Sequence, residues 1–189
     1  MKKDIGAQRA VFPMPVLMVA TYDEEGKVDV MNAAWGMISG ADKIALFISE
    51  GHKTTQNIRK QKAFTVSLAD SAHEVEADYF GVVSANNVAD KFEKSGMHAT
   101  GSDKVNAPVI DEFPLAMECE LAEITETDNL HAVVGTIVNV KADESVLDAE
   151  GKIAAEKLNA IMFDGFGRNY FTVGEKAGTA YSDGKKLLK

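Results

Sequence analysis

Short runs of β-forming residues, separated by turn residues, recur along most of the chain. The continuous apolar run at residues 16–21 predicts a first strand that is buried on both faces. A hairpin loop at residues 23–26 and an alternating return strand at residues 28–32 follow it. Because strands joined by such short loops run antiparallel, the chain is expected to begin as an antiparallel meander.

The same pattern continues to the C-terminal part of the chain. Further strands are predicted at residues 43–48, 63–68, 116–124, 132–140 and 168–173. A turn at residues 126–129 is predicted to join two of them into a hairpin. Short helices are predicted at residues 54–61, 72–80 and 88–94, and a loop at residues 36–40.

Six or seven strands joined mostly by hairpins predict a mainly β fold with short helices. The expected architecture is a closed antiparallel barrel with the helices outside it. A doubly wound α/β sheet fits less well, because it needs alternating strands and helices, and the Gly-x-Gly-x-x-Gly motif does not occur. No repeat or linker divides the chain, so residues 1–189 are predicted to form a single domain.

Composition narrows the classes of partner. The net charge of −9 argues against nucleic-acid binding, which needs clustered Lys and Arg. No segment has the apolar length that crosses a bilayer, so no membrane partner is expected. The single cysteine, Cys119, cannot form an internal disulfide, and no Cys/His cluster with metal-ligand spacing occurs. A cytoplasmic protein without a metal site is the expectation.

The strand that contains Cys119 also carries two glutamates. Its alternation predicts that Cys119 lies in the core and that Glu118 and Glu120 lie on the opposite, solvated face. Neither the thiol nor the paired carboxylates are therefore expected to do chemistry.

A lysine and two threonines stand just ahead of the first predicted helix. Free backbone N–H groups and the helix dipole favour an anion at such a helix start, so Lys53, Thr54 and Thr55 predict a phosphate site. The preceding strand brings Ser49 to the same loop. The alternative is that Thr54 only caps the helix and Lys53 is a solvated surface charge.

The segment Asn32, Ala33, Ala34 and Trp35 joins an amide and two small residues to an aromatic ring. Such a segment would let a flat ring system approach the backbone and form hydrogen bonds along one edge. The alternative is that Trp35 fills a core. Together with the phosphate site, this segment predicts a planar, phosphorylated cofactor.

These features, in their order and spacing, resemble the flavin reductase-like family of FMN-binding split barrels, which includes the flavoredoxins. The matching segments are residues 13–16, 32–35, 54–58, 90–92, 107–110, 118–119 and 130–135. The resemblance implies a split β-barrel that binds FMN noncovalently and forms a homodimer.

The resemblance also implies roles for single residues. Residues 32–35 would lie along the isoalloxazine and residues 53–55 at the phosphate, while Lys91, His131 and Phe163 match further residues of the family's flavin site. The family often has an arginine near the position of His52 and Lys53, so which of these two contacts phosphate stays open. His131 would act beside the flavin; the alternative is a turn histidine.

The implied activity is an oxidoreductase in which the cofactor carries out the electron transfer. NADH or NADPH, or a redox partner protein, would reduce the FMN, and a flavin, a metal complex or a protein would accept the electrons. The sequence shows no convincing nucleophile or acid–base pair, which suits this chemistry. The alternative is a non-catalytic protein that binds or senses FMN.

Overall fold

The computed structural model describes residues 1–188 and contains twelve strands and three α-helices in that range. The strands are β1 (Met14–Pro15), β2 (Leu17–Tyr22), β3 (Val28–Ala33), β4 (Gly36–Ile38), β5 (Lys43–Leu46), β6 (Ala63–Leu68), β7 (Ala99–Gly101), β8 (Pro108–Ile110), β9 (Leu115–Thr127), β10 (Leu130–Ala142), β11 (Ile161–Asp164) and β12 (Asn169–Thr172). The helices are α1 (Lys53–Gln61), α2 (Glu74–Val82) and α3 (Lys91–Ser95).

Seven strands form one antiparallel sheet in the order β3, β2, β6, β9, β10, β5, β4. The sheet curls into a half-barrel, so the mainly β split-barrel prediction is confirmed. The expected closure of the barrel is not observed. Strands β3 and β4 are opposite edges of the sheet and do not pair with each other. Only Ala34 and Trp35 connect these two edge strands. The predicted ring-binding segment therefore crosses the split.

Both faces of the sheet are covered, which explains the continuous apolar run in β2. Met18 and Ala20 pack into one core cluster with Phe80, whereas Leu17 and Val19 pack into a second cluster. Smaller pieces extend the structure: β1, β11 and β12 form a three-stranded sheet, and β7 pairs with β8. None of the helices within residues 1–188 is long and apolar enough to cross a membrane.

The helices begin later than predicted in two of three cases. The Asp70 carboxylate accepts hydrogen bonds from the N–H groups of Ala72 and His73, and this turn delays the start of α2 to Glu74. Turns also occupy much of residues 85–90, so α3 is shorter than expected. Gly96 ends α3 in the left-handed conformation, as its position predicted.

Two local predictions are wrong. Residues 36–38 form edge strand β4 and not a loop, because Gly36 lets the backbone pack against the side chains of Leu17 and Leu46. Glu118 is fully buried and not solvated, although Glu120 is exposed as predicted. The side chain of Glu118 accepts a hydrogen bond from Asn139, whereas Cys119 is buried on the other face.

Candidate functional site

Two cavities lie along strand β3 and the segment that follows it. The first, which we call the α1 cavity, has a volume of about 190 Å³ and lies at the start of helix α1. Its polar lining consists of Asp29, Asn32, His52, Lys53, Thr54, Ser84 and Lys91. No side chain caps α1, so the first N–H groups of the helix have no side-chain acceptor. This end of the helix can accommodate an anion.

A buried ionic cluster forms the floor of the α1 cavity. The Thr54 hydroxyl donates to Asp29 Oδ2 at 2.7 Å, while Asp29 Oδ1 is buried without a hydrogen-bond partner. The Lys91 ammonium lies 4.0 Å from that oxygen and donates to the carbonyls of Val30 and Phe80, at 2.6 and 3.1 Å. Because an ammonium has three donors, Lys91 keeps one for a ligand.

Burial disfavours both charges of this cluster. It raises the pKa of Asp29 above 3.8, and the Thr54 hydrogen bond and the positive charge of Lys91 only partly oppose that rise. Burial also lowers the pKa of Lys91, against the attraction of Asp29. An anion in the cavity would add a charge that stabilises the ammonium form of Lys91.

The second cavity, which we call the aromatic cavity, has a volume of about 990 Å³. Its lining residues are Arg9, Val11, Pro13, Met14, Pro15, Ala34, Trp35, Gly36, Met37, Phe47, Asp78, Phe163, Gly165, Arg168 and Tyr170. The four aromatic rings, of Trp35, Phe47, Phe163 and Tyr170, and the apolar side chains around them suit a flat ring system.

Asn32 connects the two cavities. It lines the α1 cavity, and its amide donates to the Ala77 carbonyl at 2.9 Å and to the Tyr170 hydroxyl at 3.4 Å. Tyr170 lines the aromatic cavity and donates to Asp78 at 2.9 Å. Burial and the neighbouring Asp78 carboxylate raise the pKa of Tyr170 to about 12, so its hydroxyl stays a proton donor at neutral pH.

The structure brings most of the predicted residues to these cavities. Asn32, Lys53, Thr54 and Lys91 line the α1 cavity, and Ala34, Trp35 and Phe163 line the aromatic cavity. Trp35 is 51% exposed, so it does not fill a core. Thr54 does not cap α1, because its hydroxyl bonds to Asp29.

Three predicted residues lie beside the cavities and do not line them. Ala33 is buried at the end of β3. Ser49 Oγ lies 3.0 Å from Nδ1 of His52, which itself lines the α1 cavity. Thr55 is buried behind the helix start, and its hydroxyl has no hydrogen-bond partner. Their predicted contacts with a cofactor stay predictions.

His131 does not belong to either cavity of its own chain. It is exposed near the tip of the β9–β10 hairpin, where it pairs with Glu126 in the ladder. It lines neither the α1 cavity nor the aromatic cavity. A role beside the flavin would therefore require a second subunit.

Several residues that line the two cavities were not predicted from the sequence. Asp29 lies between Val28 and Val30 in an alternating strand, so the pattern placed it on the solvent face, whereas the structure buries it. Tyr170 and Asp78 come together only through the packing of β12 against α2. Arg9 lies in an N-terminal segment without secondary structure, so no pattern marked it.

The residues present fit a phosphorylated planar cofactor such as FMN. Lys53, the free donor of Lys91 and the start of α1 can meet a phosphate, whereas the Asp29 carboxylate beneath them has no hydrogen bond to donate to it while it is ionised. The backbone around Ala34 and the ring of Phe163 can flank a flat ring. Within residues 1–188 no cluster of three or more potential metal ligands occurs.

Known proteins share this fold and sequence pattern. The flavoredoxin of Desulfovibrio vulgaris (Miyazaki F) is 35% identical, with a TM-score of 0.93 over 98% of this chain and 100% of that chain. A flavoredoxin from Methanosarcina acetivorans is 26% identical, with a TM-score of 0.88 over the same shares. An uncharacterized protein of Aeropyrum pernix is 26% identical over 161 residues, which are 84% of this chain but only 60% of that relative.

The match to the family is long and covers the whole lining of the α1 cavity and most of the lining of the aromatic cavity. The family described as "Flavin reductase like domain" matches residues 8–161, a range that includes β1 to β10 and both edges of the split. The chain therefore belongs to the flavin reductase like domain family of FMN-binding split barrels.

Proposed function

We propose that residues 1–189 form one cytoplasmic FMN-binding domain that works as an FMN-dependent oxidoreductase of the flavin reductase or flavoredoxin type. One observation carries the proposal: a polar cavity at a helix start adjoins a larger aromatic cavity, and Asn32 lies between them. A phosphate and a flat ring joined by a short chain would need this arrangement.

Each part of the chain has a distinct task in binding. Lys53, Lys91 and the first N–H groups of α1 would hold the phosphate. The backbone of residues 32–35 would form hydrogen bonds along one edge of the ring, and Phe163 would cover part of a face. Asp29 would fix Thr54 and limit how strongly the cluster attracts anions.

When bound, FMN supplies the hydride and electron transfer itself. The protein then has to orient the ring, exclude water from one side and admit a donor and an acceptor to the other. NADH, NADPH or a redox partner protein would be the donor, and a flavin, a metal complex or a protein the acceptor. The two flavoredoxins among the similar structures support an electron-carrier role.

A homodimer would complete the site. Exposed apolar side chains lie on or next to strands β4, β5 and β10: Met37, Ile38, Phe47, Leu130, Val138 and Val140. Such a patch typically marks an interface. We expect two copies to pack through it and His131 of one subunit to approach the cofactor of the other. A monomer in light scattering, with FMN still tightly bound, would contradict this.

Anaerobic reduction of the FMN-loaded protein tests the activity. We expect NADH or NADPH to bleach the bound flavin with one equivalent of nucleotide oxidised per FMN. A stable yellow protein that neither nucleotide reduces would favour the second candidate, a protein that binds or senses FMN without turnover. A polar cavity at the uncapped start of α1 would account for FMN binding by either kind of protein, so it does not distinguish the two candidates.

A further inference from the structure

Two of the three arginines in the chain line the aromatic cavity. Arg59, the third, pairs with Glu126 on the hairpin. Arg9 and Arg168 are both exposed, so they lie at the mouth of the cavity. Within residues 1–188 neither guanidinium has a carboxylate within 4.0 Å. Their charges are therefore available to a ligand.

Arg9 is positioned by an aromatic ring. Its guanidinium carbon lies 5.4 Å from the centroid of the Trp35 ring, which is a cation–π arrangement. Such a contact orients the cation and leaves its charge uncompensated. The planar guanidinium can then form paired hydrogen bonds with a phosphate.

Arg168 has an unusual backbone for its side chain. It has φ +59 in the turn between β11 and β12, where its N–H donates to the Asp164 carbonyl at 2.8 Å. The left-handed region favours glycine, and glycines already occupy positions 165 and 167 of the same turn. The turn does not need an arginine here, and side chains kept in this region often serve a binding site.

The protein as a whole carries a net negative charge. The net charge is −9, so an anionic substrate gains little from the general field of the molecule. Asp78, the one carboxylate that lines the cavity, accepts the hydrogen bond of Tyr170. Arg9 and Arg168 therefore make the mouth locally positive above an apolar, aromatic interior.

We propose that Arg9 and Arg168 form an anion-recognition pair for the phosphates of a nicotinamide dinucleotide that enters the aromatic cavity. This inference rests on the proposed function and names the donor and the residues that select it. A flat nicotinamide ring suits the wall of Trp35 and Tyr170, and its phosphates suit the two guanidinium groups. A concave cavity of about 990 Å³ fits a small molecule better than a protein surface.

Equilibrium binding tests the pair without turnover. Calorimetric titration of the FMN-loaded protein with NADP⁺ should show affinity that falls about tenfold in each of Arg9→Gln and Arg168→Gln, the loss of one charge-assisted contact. Arg168→Lys should recover part of the loss. The double control Lys104→Gln with Lys152→Gln changes the net charge by the same amount as the double arginine variant, at exposed sites away from the cavity. It should bind NADP⁺ like the parent.

Reduction rates with two donors separate this inference from the proposed function. The double variant Arg9→Gln with Arg168→Gln should reduce its FMN slowly with NADPH but at the parent rate with neutral 1-benzyl-1,4-dihydronicotinamide. Parent-like rates and NADP⁺ affinity in the double variant would overturn the anion-recognition pair and leave the oxidoreductase intact. If the neutral donor reduces the parent protein but neither NADH nor NADPH does, both the pair and the nucleotide-dependent activity are wrong.

Discussion

Replacing Thr54 with valine should destabilise the flavin-free protein through Asp29. Thr54 is 2% exposed and Asp29 is 4% exposed, and their hydrogen bond of 2.7 Å is the only one that the Asp29 carboxylate accepts from a side-chain donor in the described chain. Valine keeps the shape of threonine but removes the donor. A hydrogen bond to a charged group contributes about 1.5–3 kcal/mol, so we expect a loss of that size in the free energy of unfolding at neutral pH.

The loss should depend on pH because the bond stabilises the ionised carboxylate. The folded pKa of Asp29 is raised above 3.8 by burial, so ionisation of this group lowers stability as the pH rises from 3.8 through the raised value. The Thr54 bond offsets part of that penalty only where Asp29 is ionised. The effect of Thr54→Val should therefore shrink as the pH falls through the folded pKa of Asp29.

A double-mutant cycle with Asp29→Asn isolates the interaction. An amide at position 29 accepts a neutral hydrogen bond, so Thr54→Val should cost only about 0.5–1.5 kcal/mol in that background. Urea unfolding of the four proteins at neutral and acidic pH gives the coupling, which we expect to be about 1 kcal/mol at neutral pH. Additive effects and no dependence on pH would refute the reasoning.

Three further predictions concern the site and the fold. Lys53→Met should weaken FMN about tenfold or more and leave riboflavin unchanged, because only FMN carries the phosphate; Lys53→Arg is the control, and fluorescence titration measures both flavins. Gly135→Ala should lower the free energy of unfolding by about 1–3 kcal/mol, since a methyl group there would collide with the buried ring of Phe64; wild-type stability in urea would contradict that. His131→Ala should keep the melting temperature but change the flavin spectrum or its rate of reduction, and an unchanged spectrum and rate would remove His131 from the site.

The strands could be predicted because their patterns depend on local alternation. The limits of β6 are those that the sequence predicted, and the β9–β10 hairpin forms around the predicted turn, although both strands are longer. Hairpins pair neighbours in the chain, so little long-range information is needed. Local alternation could not predict that β3 and β4 are opposite edges of one sheet. Strands β9 and β10, which lie much later in the sequence, are inserted between them in the sheet.

Burial of charged residues could not be predicted from alternation. The period of two placed Glu118 and Glu120 on one face, and both were expected in water. The structure buries Glu118 beside Asn139 and Lys141 and leaves Glu120 exposed. Which part of a face another segment covers is a tertiary property, and it also determines the environment of Asp29.

The two halves of the candidate site differed in how far the sequence revealed them. A lysine ahead of a helix carries its own electrostatic signal, and Lys53 lies at the uncapped start of α1. The link at Ala34 and Trp35 was found by residue type, although the sequence did not show that it crosses the split. Arg168 could not be predicted, because its place at the cavity depends on the pairing of β11 with β1, which comes from the other end of the chain.

The relative affinities of FMN and riboflavin test the account most directly. Both flavins carry the same ring, so any difference in dissociation constant comes from the phosphate and the α1 cavity that would receive it. We predict that FMN binds more tightly by about tenfold or more, and that the difference decreases at high salt as the charges are screened. Equal affinities for the two flavins, or no binding of either, would contradict the assignment of the α1 cavity as the phosphate site.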